Sequence, residues 1–184
     1  AKYTSSISMY VNNNNDASAG TPININDINA SQKLVNTYIV ILQHDEVLNQ
    51  VADRLMEEYT EEDLDKNIGL TEVSGKKVLK AETLRKALTL SAVNGTEVLQ
   101  IRAQTKNAML SARICNLIAE VGPGVLERVI RAGSVEIIGQ AEPVFEKTSP
   151  HTLRNSAIGA LLGLIVSVGG ALLRFALDNT IKGE

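Results

Sequence analysis

The chain has 184 residues, a net charge of -3 and no run of Lys or Arg, so it lacks the electrostatic footprint of a nucleic-acid binder. That length accommodates one domain with a proper core in front of a membrane segment. Aromatic residues make up 3 % and Trp is absent, which argues against the flat apolar platforms on which sugar rings stack.

The chain opens with Tyr3 to Val11, YTSSISMYV. Tyr3, Ile7 and Met9 alternate with Ser6, Ser8 and Tyr10, the two-residue period of a half-buried strand. Asn12 to Asn15 and the polar stretch after them favour a loop. Asn26 or Asp27 is placed to cap a helix. Ile28, Leu34, Val35, Tyr38, Ile39 and Leu42 then follow helical spacing. After a break near His44, Val47, Leu48, Val51, Ala52, Leu55 and Met56 repeat that rule, giving two amphipathic helices or one kinked helix. Thr60, followed by Glu61, Glu62 and Asp63, starts a short acidic turn whose carboxylates complement a positive helix end. Ile68 to Leu79 supports no assignment.

Leu88 to Val93, Asn94-Gly95 and Thr96 to Ala103 predict a β-hairpin, because Asn-Gly accepts the positive φ angles of a type I′ turn. Leu99, Ile101 and Ala103 fall on one face and Gln100 and Arg102 on the other, so helices are expected on the first. A long helix from about Lys106 carries Leu110, Ile114, Leu117 and Val121 on one stripe, beside the small residues Ala108, Ala112, Cys115 and Ala119. The single cysteine, Cys115, reads as a small buried side chain. Gly122-Pro123-Gly124 predicts a kink or a restart with Pro123 near the first turn, and Ala132-Gly133 a stop. Ser134 to Gln140 reads as a strand. Ala141 to Pro150 reads as a proline-bounded linker containing Pro143 and Pro150.

Ala157 to Leu173, AIGALLGLIVSVGGALL, is an unbroken apolar run. Extended past Arg174 to Leu177 it reaches about 20 residues, which spans a hydrocarbon core of about 30 Å. Its C-terminal position excludes a cleaved signal peptide. Ser156, Ala160, Gly163, Ser167 and Gly170 recur three or four apart, and Gly159 with Gly163 forms a small-xxx-small pair, so this face permits close helix contact. Lys147 and Arg154 on one flank and Arg174 on the other leave the orientation open.

The two histidines, His44 and His151, have no companions at metal-ligand spacing. Nucleophile elbows, phosphate loops and dinucleotide fingerprints are missing from the sequence. The acidic residues Glu57, Glu58, Glu61 and Glu62 read as a solvated helix end. The expectation is a non-enzymatic chain with no cofactor and no metal.

Taken as an ordered set, YTSSISMYV, DINASQKLVNTYIVILQHDEVLNQVADRL, GTEVLQIRA, NAMLSARICNLIAEV, SVEIIGQAEPV and SPHTLRNSAIGALLGLIVSVGGALLRFALDNTIK resemble the polysaccharide co-polymerases, or Wzz-type chain-length determinants. The short outer domain is similar to the Gram-positive branch, membrane modulators of a tyrosine kinase in capsule or exopolysaccharide assembly. The resemblance implies an α+β fold with a small mixed sheet and a β-hairpin packed by long helices, followed by a C-terminal transmembrane helix. It implies an extracellular domain over 1–142, a linker over 143–155, a span over 156–177 and the start of a cytoplasmic tail over 178–184.

Members of that family have two spans and assemble as rings. With Ala1 first and the strand beginning at Lys2, the sequence is expected to be a fragment or processed product that lacks the first span and most of the kinase-contacting tail. The implied partners are further copies of the chain, a polysaccharide polymerase, a cytoplasmic tyrosine kinase, the growing polysaccharide and membrane lipid. The implied role is control of polymer length and export from the cell membrane. Charged candidates for contacts between subunits are Arg54, Glu58, Arg113, Arg128 and Arg131. The alternative reading is a membrane-anchored extracellular binding or adhesion module.

Overall fold

A computed structural model describes residues 1–12, 25–93, 96–130, 134–149 and 152–177. In chain order the elements are β1 (Lys2–Asn12), α1 (Ile25–Leu42), α2 (Asp45–Glu58), α3 (Glu61–Asn67), β2 (Thr71–Val73), β3 (Lys76–Val78), α4 (Ala81–Ala87), β4 (Leu88–Ala92), β5 (Val98–Thr105), α5 (Ala108–Ile130), β6 (Ser134–Ile138), β7 (Lys147–Ser149) and α6 (Thr152–Leu177). The chain divides into two compact units, Ala1–Thr148 and Ser149–Glu184. This is the expected α+β class with a C-terminal apolar helix.

The first unit is built on β1. The main sheet runs in the order β4-β5-β1-β6, and β7 also pairs with β1. The β4–β5, β5–β1 and β1–β6 pairs are antiparallel, with Ile7 opposite Ile101, Met9 opposite Leu99 and again opposite Ile137, and Leu90 opposite Ile101. Because side chains alternate across a strand, this register collects Ile7, Met9, Val11, Leu88, Leu90, Leu99, Ile101 and Ala103 on one buried face. α5 packs on that face over β1 and β5, α1 joins it over β4, α2 packs on α5, and α4 lies against α2, β4 and β5. Tyr38, Leu42, Leu48, Leu55, Leu84, Leu110, Ile114 and Leu117 complete the core with essentially no exposure. The opposite face carries Thr4, Ser6, Ser8, Gln100, Arg102 and Gln104, all partly or well exposed. Covered and wet faces are thus divided as the alternation predicts.

The junctions follow local chemistry. His44 breaks the first helical stretch and caps α2, its Nδ1 accepting from the Glu46 amide at 3.4 Å. Thr60 caps α3, its hydroxyl oxygen accepting from the Asp63 amide at 3.2 Å. Asn107 caps α5, its Oδ1 accepting from Met109 at 2.8 Å and Leu110 at 3.2 Å. Each satisfies amides that a helix start leaves unpaired. At the same corner the buried Ser111 hydroxyl lies 3.0 Å from the Tyr3 carbonyl and accepts from the Thr105 amide at 3.0 Å, tying α5 to the ends of β1 and β5.

Several expectations are corrected. α1 begins at Ile25, so Asn26 and Asp27 lie inside the helix and do not precede it. Ile68 to Leu79 contains a small hairpin, β2–β3, closed by Ser74 at φ 53° and Gly75 at φ 79°. Two successive positive φ angles define the primed turn that matches strand twist. The Asn94-Gly95 dipeptide itself lies outside the described residues; its flanks carry the bond of a tight turn, the Thr96 amide donating to the Val93 carbonyl at 3.0 Å, although strand pairing resumes only at Val98. Val93 donates to Val98 at 2.9 Å, and Ala92 is opposite Leu99. The loop is therefore four residues long, held where the Thr96 hydroxyl donates to the Val93 carbonyl at 2.8 Å. The register moves by two, so every side chain keeps its face.

α5 also runs without interruption from Ala108 to Ile130 with Pro123 inside it. A proline there removes one helical hydrogen bond, while packing holds the flanking turns: Val121, Gly122, Val125 and Leu126 are buried. A Cβ on Gly122 would sit 2.6 Å from Leu42 Cδ2. Gly122 is thus a close approach of α1 to α5, and not a helix stop. The expected linker is partly structured: Ala141 is buried, Lys147–Ser149 is β7, and α6 starts at Thr152. Pro143 is exposed, and Pro150 and His151 lie outside the described residues.

Candidate functional site

Two features stand out once the core is assigned: an apolar helix that buries nothing, and a charged seam between α2 and α5. Both α5 and α6 are long and apolar enough to cross a membrane. In α5, 67 % of the apolar stretch is buried inside the domain, which makes it a core helix, against 0 % for Arg154–Phe175. The side chains of Leu161, Leu164, Val166, Leu172 and Leu173 are each more than 60 % exposed. Water does not tolerate so continuous an apolar surface, and lipid does. At about 1.5 Å per residue, the 22 residues of that stretch cover about 33 Å.

The structure puts Ser156, Gly159, Ala160, Gly163, Ser167 and Gly170 on this helix. The steps of four, three, four and three from Ser156 through Ala160, Gly163 and Ser167 to Gly170 make one stripe. The Ser167 hydroxyl donates to the Leu164 carbonyl at 2.9 Å, so it carries no unmet hydrogen bond into an apolar surrounding. Nothing lies within 4 Å of a Cβ built on Gly159, Gly163 or Gly170.

The seam begins at Arg113, on the solvent-facing edge of α5. Its Nε and Nη2 donate to Glu58 Oε2 and Oε1 at 2.7 and 2.6 Å, a two-pronged pair, and its Nη1 donates to Glu120 at 2.7 Å. Arg54 of α2 closes the set on Glu120 at 3.2 Å. Arg128 pairs with Glu46. The structure thus brings Arg54, Glu58, Arg113 and Arg128 into ion pairs within one chain, joining α2 to α5. Arg131 lies outside the described residues. Hydrogen bonds from Arg113 hold the Glu58 carboxyl below its ordinary value, and the same bonds raise the Arg113 guanidinium above its own. Side-chain exposures run from 30 to 50 % for Arg113, Glu58, Glu120 and Arg54. Solvent screening therefore limits each pair to about 1 kcal/mol or less.

Sequence reasoning missed three residues. Glu120 sits seven positions after Arg113, two helical turns on, which is a weak but readable signal. Arg85 donates from Nε and Nη2 to the Gln43 carbonyl at 3.1 and 3.0 Å and pairs with Asp45, locking α4 to the α1–α2 corner. Asn116 clasps Ala141 in both directions, accepting its amide at 2.7 Å and donating to its carbonyl at 3.2 Å. That clasp fixes where the chain leaves the sheet before Pro143. Cys115 is buried, donates toward the Ser5 carbonyl at 3.4 Å, and has its thiol pushed up to about 12 by burial.

An α+β domain followed by an exposed apolar helix of spanning length defines a class of protein anchored at a membrane. No family model matches the chain. It is 29 % identical over 164 residues to the probable capsular polysaccharide biosynthesis protein YwqC of Bacillus subtilis strain 168, covering 88 % of this chain and 58 % of that protein. It is 23 % identical over 183 residues to the capsular polysaccharide biosynthesis protein CapA of Staphylococcus aureus strain Mu50, covering 100 % of this chain and 73 % of that one. It is also 22 % identical over 158 residues to the capsular polysaccharide type 5 biosynthesis protein cap5A of Staphylococcus aureus strain Newman, covering 86 % and 62 %. The chain is a homologue of these Gram-positive capsular polysaccharide biosynthesis proteins at modest identity, as the resemblance in its sequence implied. None of the three names is that of an enzyme.

Proposed function

We propose that this chain is the outer domain and following span of a non-enzymatic protein of capsular polysaccharide synthesis, which sets the length and export of the polymer. The observation that carries the reading is the exposed apolar helix α6, which follows the α+β core in sequence, in a chain that aligns over 86 to 100 % of its length with capsular polysaccharide biosynthesis proteins. In this reading α6 anchors the domain on the extracellular side of the cell membrane. The stripe from Ser156 to Gly170 packs against other spans, and the domain works as a ring of copies beside a polymerase. A cytoplasmic tyrosine kinase reads the state of the assembly from the other side.

The chemistry supports a scaffold role. Arg54, Glu58, Arg113 and Glu120 form a charge network at a helix seam, a structural arrangement with no reacting group poised in it. The test is deletion of the gene and sizing of the surface polysaccharide. An altered length distribution or amount, restored by the gene in trans, is expected. An unchanged distribution and amount refutes the reading.

A further inference from the structure

The domain is acidic overall, yet one end of its main sheet gathers ammonium groups. A pocket of about 360 Å³ opens where β1 begins, β5 ends and α4 ends, and among its lining residues are Lys2, Lys86, Lys106, Thr83, Gln104 and Asp65. The three lysines, in β1, in α4 and just after β5, are separated by more than 80 and by 20 positions in sequence, so folding alone puts them around one space. Their surroundings leave two of those three charges without an ion pair among the described residues. Asp65 is occupied: it accepts from Lys77 at 2.6 Å and from the Leu70 amide at 3.0 Å, and those bonds hold its carboxyl below the ordinary value. Lys86 has Glu82 at 2.7 Å one turn back. Lys2 and Lys106 form no ion pair among the described residues.

The pocket walls are fixed by hydrogen bonds. The Lys106 amide donates to the Asn67 carbonyl at 3.1 Å, which holds the end of β5 against the end of α3. The Gln104 amide group donates to Thr4 Oγ1 at 3.1 Å, and the buried Thr105 hydroxyl donates to the Asn107 carbonyl at 2.7 Å. The stems of Lys2 and Lys106 therefore stand on a rigid base with ammonium groups that form no ion pair among the described residues, while the Lys86 ammonium is shared with Glu82. Several ammonium donors converging on a space of this size, with a hydroxyl beside them, match a tetrahedral oxyanion with several acceptor oxygens better than a planar carboxylate. A chain with a membrane span works beside phosphate-bearing headgroups. In the sequence, β7, which pairs with the strand that supplies Lys2, is followed three residues later by α6.

We propose that the pocket lined by Lys2, Lys86 and Lys106 binds a phosphate group, presented either by an anionic lipid headgroup or by a dissolved phosphate or pyrophosphate. The lipid source rests on the span assigned to α6, whereas the dissolved source does not. Neither depends on the role in polymer synthesis, so failure of one reading is distinguishable from failure of the other.

The test uses the full chain, isotope-labelled, in lipid nanodiscs, with amide resonances of Gln104, Lys106 and Lys86 as the readout. One arm compares phosphatidylcholine discs with discs containing phosphatidylglycerol. The other titrates inorganic phosphate and pyrophosphate into the phosphatidylcholine sample. Saturable shifts at these amides are expected in at least one arm. Response to the phosphatidylglycerol arm alone assigns the headgroup, and response to the dissolved anions assigns a free phosphate. Lys2→Gln with Lys106→Gln should weaken the response about tenfold or more, since charge-assisted hydrogen bonds are lost, while Lys33→Gln, at an exposed α1 position that does not line the pocket, leaves it unchanged. No saturable shift in either arm, or a shift that persists in the double variant, overturns the proposal.

Discussion

Gly122→Ala tests how tightly α1 and α5 are packed. Two effects oppose each other. In a helix interior, alanine is favoured over glycine by about 1 kcal/mol. The new methyl would lie 2.6 Å from Leu42 Cδ2, far inside contact distance, and Leu42 is 0 % exposed, so its side chain has no open space to move into. Overpacking of this kind costs about 1–3 kcal/mol. The balance is a loss of up to about 2 kcal/mol, or a fall of roughly 3 °C in Tm per kcal/mol for a domain of this size.

Leu42→Val removes the clashing atom at a cost of about 1 kcal/mol. In that background the sign reverses, and Gly122→Ala stabilises by about 1 kcal/mol. Unfolding of the four proteins of this double-mutant cycle, followed by circular dichroism in detergent with denaturant, gives the coupling directly. If Gly122→Ala stabilises the otherwise unaltered chain by about 1 kcal/mol, the close approach is wrong, and with it the explanation of why α5 runs through Pro123.

Three further outcomes follow from single residues. Ser5 Oγ is buried with no hydrogen-bond partner among the described residues, so Ser5→Ala should raise stability by about 1 kcal/mol in the same assay; a loss of that size would mean that the hydroxyl is satisfied. Because the folded pKa of Glu58 lies below its ordinary value, its contribution is present above the unfolded carboxylate range and is lost as pH falls through the folded value. Arg113→Gln should therefore lower stability at neutral pH by about 1 kcal/mol and make the fall between about pH 5 and pH 3 shallower; an unchanged acid limb contradicts the pairing. The Cys115 thiol, pushed up to about 12, should resist a thiol reagent at neutral pH until the domain unfolds, and rapid labelling of the native chain would contradict its burial.

The sequence disclosed those parts of the fold that leave a local period. Ile7, Met9, Leu99 and Ile101 alternate, so the covered face of the sheet was legible, as were the stripes of α2 and α5 and the continuous apolar surface of α6. The order of strands was not. β1 joins β5 across more than 90 positions, with Ile7 opposite Ile101, and no short-range pattern records that pairing. Turn chemistry was legible in one hairpin and silent in the other: the residues flanking Asn94-Gly95 carry the expected turn bond from the Thr96 amide to the Val93 carbonyl, with strand pairing resuming two residues later than expected, while Ser74-Gly75 makes the primed turn with no flanking alternation to announce it. Pro123 looked like a break because propensity is local, whereas the burial of Val121, Gly122, Val125 and Leu126 is a property of the packed fold. Of the charged candidates, Arg54, Glu58, Arg113 and Arg128 were recognisable as charges. Glu120 lies two turns along α5 from Arg113 and is weakly readable, whereas the pairs Arg113–Glu58, Arg54–Glu120 and Arg128–Glu46 become visible only when α2 and α5 lie side by side.

The claim at the centre of this account is that α6 crosses the membrane and holds the domain on its outer face. It is tested most directly by single thiols in the full-length protein in intact protoplasts, with Cys115→Ser as background. One thiol is placed by Lys76→Cys, at an exposed site on β3, and the other by Asp178→Cys, just past the apolar run. The account predicts that a membrane-impermeant maleimide labels the first thiol in intact cells and the second only after permeabilisation. Labelling of both thiols in intact cells, or of the second alone, contradicts it.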